Sequence, residues 1–199
     1  VKYKDLTGEG EVTPGASTLE NHGDLKRIGN NSPRYRVGLN LDAAWKGIDF
    51  SIFFQGVLKR DWMFDAGDPY FWGAGSGMWQ AACFEEHMDY WTPENTDAYY
   101  PKPYFNETKN QQAQDAYMQK ASYLRCKNIQ LGYTLPTHIT EKAGISNCRI
   151  YLSCDNLFTI TGLSSVYDPE VFGSYDGYGT SGKTYPLQRT ISVGVNLNF

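Results

Sequence analysis

No apolar run in this 199-residue chain approaches the roughly eighteen residues that a membrane-spanning helix requires, and the mean hydropathy is negative. A helical span is excluded. A β-barrel is not, because lumen-facing polar residues interrupt every lipid-facing one and keep average hydropathy low. Charge is sparse: 20% of the residues are Asp, Glu, Lys or Arg, and the net charge is −4. With no broad basic surface to neutralise a phosphate backbone, the chain is not expected to bind nucleic acid. The four cysteines, Cys83, Cys126, Cys148 and Cys154, show neither Cys-x-x-Cys spacing nor a nearby His constellation. No structural metal site is expected; they read as small buried or lipid-facing hydrophobes. In an oxidising compartment Cys126 and Cys154 could face each other across one hairpin. The chain begins at Val1 without an initiator Met or a targeting segment, and is expected to be a processed or truncated product.

Catalytic patterns are also lacking. His22, His87 and His138 are scattered, and neither Gly-x-Ser-x-Gly nor His-Glu-x-x-His occurs. Glu85, Glu86, Asp89 and Glu94 lie close enough in sequence for a glycosidase pair to be imagined, although solvated loop carboxylates are the commoner case. No catalytic residue and no cofactor are expected.

What the chain has in abundance is period-2 alternation. Over Arg189–Phe199 the apolar residues Ile191, Val193, Val195, Leu197 and Phe199 fall at every second position. Such a stretch is a strand with one apolar and one polar face, compatible by itself with a soluble sandwich or a membrane barrel. Tyr35, Val37, Leu39, Leu41, Ala43 and Trp45 repeat the pattern, as do Ile48, Phe50, Ile52 and Phe54 after a Lys46-Gly47 turn. Further strands are predicted at 122–134, where a parity switch near Lys127-Asn128 signals a bulge, and at 148–156. The five predicted strands span 34–45, 47–58, 122–134, 148–156 and 186–199. They are longer than most globular strands and long enough to cross a bilayer at a tilt.

The links between them alternate. Lys46-Gly47 and Leu135–Asn147, the latter with one helical turn ended by Gly144, are short; 59–121 and 158–185 are long. Barrels of the outer membrane have this asymmetry, with short periplasmic turns and long extracellular loops. With a periplasmic C-terminus, the residues 1–32, 59–121 and 158–185 become the extracellular loops. The predicted fold class is all-β: about five long antiparallel C-terminal strands of a large transmembrane barrel. Five strands cannot close in lipid, where unpaired edge groups cost several kcal/mol each, so the remaining wall must come from elsewhere.

Several stretches, in order, resemble the C-terminal portion of the SusC/RagA family of TonB-dependent outer-membrane transporters. They are DLTGEGEV (5–12), RYRVGLNLDAAWKGIDFSIFFQGV (34–57), YWTPENTDAYYP (90–101), SYLRCKNIQLGYTLP (122–136), ISNCRIYLSCDNLFTIT (145–161) and YPLQRTISVGVNLNF (185–199). The resemblance implies a barrel of about twenty-two strands with a plug that this chain lacks. It also implies a bacterial outer-membrane location, energy from the TonB complex acting through the missing N-terminal part, and a SusD-like surface lipoprotein as partner. Two departures stand out. Thr7 and Glu9 interrupt the family's Asp-x-Asn-Gly-Asp-Gly run, and Ala16 falls where a calcium loop wants a bidentate Glu. Cys126 replaces a common aliphatic residue.

The long link 59–121 is rich in aromatic residues, whose faces stack on sugars and grip apolar partners. Trp62, Trp72, Trp79, Tyr90, Trp91 and Tyr99 are the candidate contacts for a glycan or peptide substrate or for the lipoprotein, the bland alternative being mutual packing. Phe199 is the candidate assembly signal. The expected function is a share in active import of oligosaccharides or peptides; a soluble carbohydrate-binding β-sandwich and a secreted glycosidase are the alternatives.

Overall fold

A computed structural model describes residues 3–76, 81–105, 109–172 and 184–199. The chain divides into two units, one of Val1–Asn30 with Met63–Met118 and the other of Asn31–Trp62 with Gln119–Phe199. The second unit holds one antiparallel sheet. Its strands are β1 (Arg34–Trp45), β2 (Ile48–Lys59), the short β3 (Asp61–Trp62), β4 (Gln119–Thr134), β5 (Asn147–Gly162) and β6 (Thr190–Asn198). The order is β1-β2-β4-β5-β6, with β3 paired to the start of β4.

The register sorts side chains into two faces. One row runs Leu41, Ile52, Ile129, Cys154, Ile191, and the next Ala43, Phe50, Leu131, Leu152, Val193. Between them, on the opposite face, lies Asp42, Ser51, Gln130, Ser153, Ser192. The apolar face is uncovered: Val193 is 74% exposed and Ile191 67%. A soluble sandwich would cover it with a second sheet, but every strand among the described residues belongs to this one sheet. Water-soluble monomers rarely leave so large a continuous apolar surface open.

The β1–β2 turn has Lys46 at φ 48° and Gly47 at φ 86°, the paired positive angles of a two-residue hairpin turn whose twist suits the strands. Gly47 therefore belongs to the turn, and β2 starts at Ile48 rather than at 47. The link after β4 contains the helical turn Thr137–Thr140 and ends at Gly144, whose φ of 70° is the left-handed stop.

The largest differences from the sequence expectation lie in β4, β5 and β6. β5 continues to Gly162, six residues past the predicted end, because a bulge hides its second half: Asn156 has φ 52°, and the pairing jumps from Asn128↔Asp155 to Cys126↔Phe158. Beyond the bulge Phe158 and Ile160 return to the apolar face, and β4 begins at Gln119 to meet them. β6 starts at Thr190, not 186, because the Asn156 side chain takes the Gln188 carbonyl (2.9 Å) where the ladder would continue. The long links accordingly run from 63 to 118 and from 163 to 189. Cys126 and Cys154 lie opposite Phe158 and Ile129 rather than each other, and both thiols are free.

On the polar face two glycines make room for large side chains. Arg149 on β5 reaches over Gly132 to Asp49 on β2, with Nε at 2.9 Å from Oδ1 and a second nitrogen bonded to Oδ2 and to Gln130 (2.9 Å). A Cβ at Gly132 would sit 2.5 Å from both partners. Tyr151 carries the Arg149 guanidinium at 4.9 Å from its ring and lies across Gly194, where a Cβ would collide with it. Gly132→Ala is expected to cost about 1–3 kcal/mol through overpacking. In an Arg149→Gln background the same change should cost clearly less, as a double-mutant cycle of unfolding free energies checks.

Candidate functional site

Unit Val1–Asn30 with Met63–Met118 is held by backbone donors converging on a few acceptors. Asp24 accepts the Thr13, Leu6 and Thr7 N–H groups at 2.8, 2.5 and 3.0 Å, and Asp5 those of Gly10 and Gly8 at 2.7 and 2.6 Å. The DLTGEGEV segment thus spends its aspartate on its own backbone. These donors, Thr13 and then Leu6 for Asp24, Gly10 and then Gly8 for Asp5, hold both carboxyls below the usual range. Among the described residues no three His, Cys, Asp or Glu side chains gather as a metal site.

The aromatic link is largely a packing device. Phe64 and Phe71 stack at 4.5 Å, and Phe71 also meets Trp72 and Tyr100 edge-on. Trp72 is 5% exposed, lies 4.9 Å from Tyr117 and donates its indole N–H to the Asp65 carbonyl (2.9 Å). Neighbouring rings enclose it, so in this structure it is packed rather than exposed. His87 accepts the Phe84 N–H on Nδ1 (3.0 Å), so Nε2 carries the hydrogen and donates to the Phe71 carbonyl (3.1 Å). Burial, then the Glu86 charge, push the Tyr100 hydroxyl up, keeping it protonated in this cluster.

The YWTPEN segment is a turn in which Asn95 donates to Asp89 (3.1 Å) and Tyr90 O, and Asp89 also takes the Tyr99 N–H (3.1 Å). The Tyr99 N–H, then Asn95, hold the Asp89 carboxyl below its usual value. Asp89 fixes a turn. The turn leaves Trp91 and Tyr99 each 40% exposed, with Tyr90 half-buried beside Tyr100. Tyr104 and Phe105, which follow Pro101 and Pro103, are 53% and 71% exposed and were not among the expected contacts. Trp79 lies outside the described residues, as does the Gly-Tyr stretch 173–179.

Trp62 belongs to the other unit, at the end of β3. Its ring meets Phe172 edge-on at 4.8 Å, and the Arg60 guanidinium stacks on both, at 4.9 and 4.7 Å. Phe172 ends a strap, Leu163–Phe172, that follows β5 and is pinned to the polar face of β4. Arg125, 4% exposed, bonds Asp168 (2.8 Å), Glu170 (2.9 Å) and Thr159 (2.7 Å), and Lys127, the bulge residue, shares Glu170 at 3.1 Å. Asp168 organises the strap by accepting the Glu170 and Leu187 N–H groups at 2.9 and 3.0 Å. Beside it opens a concavity of about 440 Å³, walled by Arg36, Gln55, Val57, Arg60, Tyr123 and Glu170 among others.

One sheet with an apolar and a polar face, its hairpins twisted and its outer strands β1 and β6 unpaired on their far sides, defines a class: a stretch of antiparallel barrel wall. No family model matches the chain. TonB-dependent receptor P3 of Formosa agariphila is 29% identical over 204 residues, covering 99% of this chain and 19% of that receptor. Receptor P26 of the same bacterium is 26% identical over 206 residues, again 19% of its length, so this chain spans about a fifth of the curated relatives it matches. Among solved structures, the RagAB peptide importer in its open-open state superposes with a TM-score of 0.62 at 28% identity, over 85% of this chain and 17% of that one. The RagAB peptide transporter gives 0.61 at 29%, over 84% and 18%. Over nearly its whole length the chain is thus similar to a segment of SusC/RagA-like TonB-dependent receptors, the resemblance that the ordered motifs carried.

Two outcomes follow from these geometries. Asp168→Ala strips a buried partner from Arg125 and the acceptor of the Glu170 and Leu187 N–H groups; it should destabilise strap docking by about 3–5 kcal/mol, read as loss of amide protection or faster proteolysis at 163–172. The lowered Asp5 and Asp24 carboxyls contribute stability that is complete above the unfolded value of about 4 and lost as pH falls through their folded values. Protection factors at Leu6, Gly8 and Thr13 should therefore drop in acid, and remain level from pH 5 to 8.

Proposed function

We propose that this chain forms barrel wall and extracellular loops of a bacterial outer-membrane importer for oligosaccharides or peptides. The observation that carries the reading is the uncovered apolar face running across five long strands, from Leu41 to Ile191, backed by a polar face with buried ion pairs. In water that face is a liability; in a bilayer it is the required surface. The open β1 and β6 edges need further strands, since lipid cannot satisfy backbone groups. The remaining wall and the plug belong to other parts of the same protein.

Import needs no covalent chemistry, only a selective polar interior and a plug that moves when pulled. TonB supplies the pull through the plug, and a SusD-like lipoprotein delivers substrate at the loop side. Trp91 and Tyr99, with Tyr104 and Phe105, are the exposed rings suited to that lipoprotein or to substrate. Phe199, 88% exposed just beyond the β5–β6 ladder, is the rim aromatic that we assign as assembly signal.

The full-length receptor should stay in the outer membrane until detergent is added and should lose nutrient uptake when TonB is removed; release by salt or carbonate washing alone would sink the reading. Leu152→Arg, in the middle of the apolar face, should cost about 2–4 kcal/mol and lower the yield of folded barrel, whereas Ser153→Arg on the other face should cost much less. Deleting Phe199 should lower outer-membrane yield more than shortening the 63–118 link; equal yields would remove its assigned role.

A further inference from the structure

The concavity beside the strap has an unbalanced charge. Its one carboxylate, Glu170, is already bonded to Arg125 and Lys127. Its two guanidinium groups are not so engaged. Arg36 makes no hydrogen bond or ion pair among the described residues, and Arg60 gives only its Nε, to the Asn31 carbonyl at 3.0 Å. Both line the same concavity. Stacking between Trp62 and Phe172 fixes the plane of Arg60 and leaves its two terminal nitrogens without partners. The Arg60 fork, held by stacking, and the exposed Arg36 line the same concavity, and a guanidinium fork matches a planar carboxylate with two parallel hydrogen bonds.

The neutral lining fits the same ligand. Tyr123 is 7% exposed yet its hydroxyl has no hydrogen-bond partner among the described residues, and the Gln55 amide is likewise unpaired. Pro33, Val57 and Pro169 supply an apolar wall for a short carbon stem. The concavity lies on the polar face at the end of the sheet from which both long links depart, the end where β1 starts and β2 finishes.

We infer that Arg36 and Arg60, with Tyr123 and Gln55, form a carboxylate-binding subsite on the interior face of the barrel, selecting acidic cargo. The inference rests on the import reading above and deepens it, from oligosaccharides or peptides in general to those bearing carboxylates. An acidic peptide and a uronic-acid oligosaccharide share this chemistry.

The test uses the purified full-length receptor and four probes: hexaglutamate and hexaglutamine peptides, and an oligogalacturonate with its neutral methyl ester. Wild type should bind at least one carboxylate probe about tenfold or more tighter than its neutral counterpart, the scale of a hydrogen bond to a charged group. Arg36→Gln, at an exposed position, should erase most of that preference and leave neutral binding unchanged. Arg60→Lys keeps the charge but loses the fork and the stacking, and should weaken it in part. Retention of the compact barrel band on unheated gels shows that the variants fold. Which pair responds tells peptide from glycan. Equal binding of charged and neutral probes, or an unaltered preference in Arg36→Gln, overturns the subsite even if TonB-dependent uptake persists. A carboxylate preference that Arg36→Gln removes, in a receptor whose uptake ignores TonB, upholds the subsite and defeats the import reading instead.

Discussion

Antiparallel pairing in one fixed register is the constraint on which the rest of this molecule depends. Because side chains alternate, the ladder that sets Ile52 opposite Ile129 and Ile129 opposite Cys154 also commits Ser51, Gln130 and Ser153 to the other face. A slip of one residue would exchange the faces of a whole strand. In a bilayer that exchange would put Asp49 or Arg149 in lipid, so the register is set by solvation on both sides of the sheet at once. The bulge at Lys127 serves the same end by absorbing the residue at which the apolar parity of β4 changes, while the irregularity at Asn156 leaves the parity of β5 intact and keeps Phe158 and Ile160 on the face of Cys154.

The polar face is assembled around absences of bulk. Gly132 lets Arg149 cross a strand to Asp49, and Gly194 lets Tyr151 lie flat beneath that guanidinium. Farther along, Arg125 gathers Asp168, Glu170 and Thr159 and so turns the segment after β5 into a strap bonded to the sheet. Burying an arginine against carboxylates adds little net stability relative to apolar packing, because desolvation offsets most of the Coulomb gain. What it does confer is position: only one placement of the strap satisfies all the donors, and the same placement shapes the wall beside Arg36 and Arg60.

Much of this was legible in the chain. Alternation located the strands, Lys46-Gly47 located the tight turn, and the parity break at Lys127-Asn128 located a bulge. The second half of β5 escaped because polar Asn156 falls at an apolar position and interrupts the run, although Phe158 and Ile160 resume the same parity beyond it. Aromatic content flagged the 63–118 link correctly as unusual but could not rank its members. Trp72 and Trp91 are the same residue type in similar surroundings, yet one is enclosed by Phe71 and Tyr117 and the other stands on a turn made by Asp89 and Asn95.

The division has a physical basis. Strand faces, tight turns and the absence of a spanning helix follow from the sequence by itself, because they depend on residues one or two positions apart. Which arginines are satisfied was decided by the tertiary structure alone. Arg125 meets Glu170 across 45 positions of chain and Arg149 meets Asp49 across 100, whereas Arg36, on the same polar face, meets no carboxylate. Four arginines that look alike in sequence thus divide into two that hold the fold together and two, Arg36 and Arg60, that meet no carboxylate among the described residues, because only the folded chain determines what stands near each.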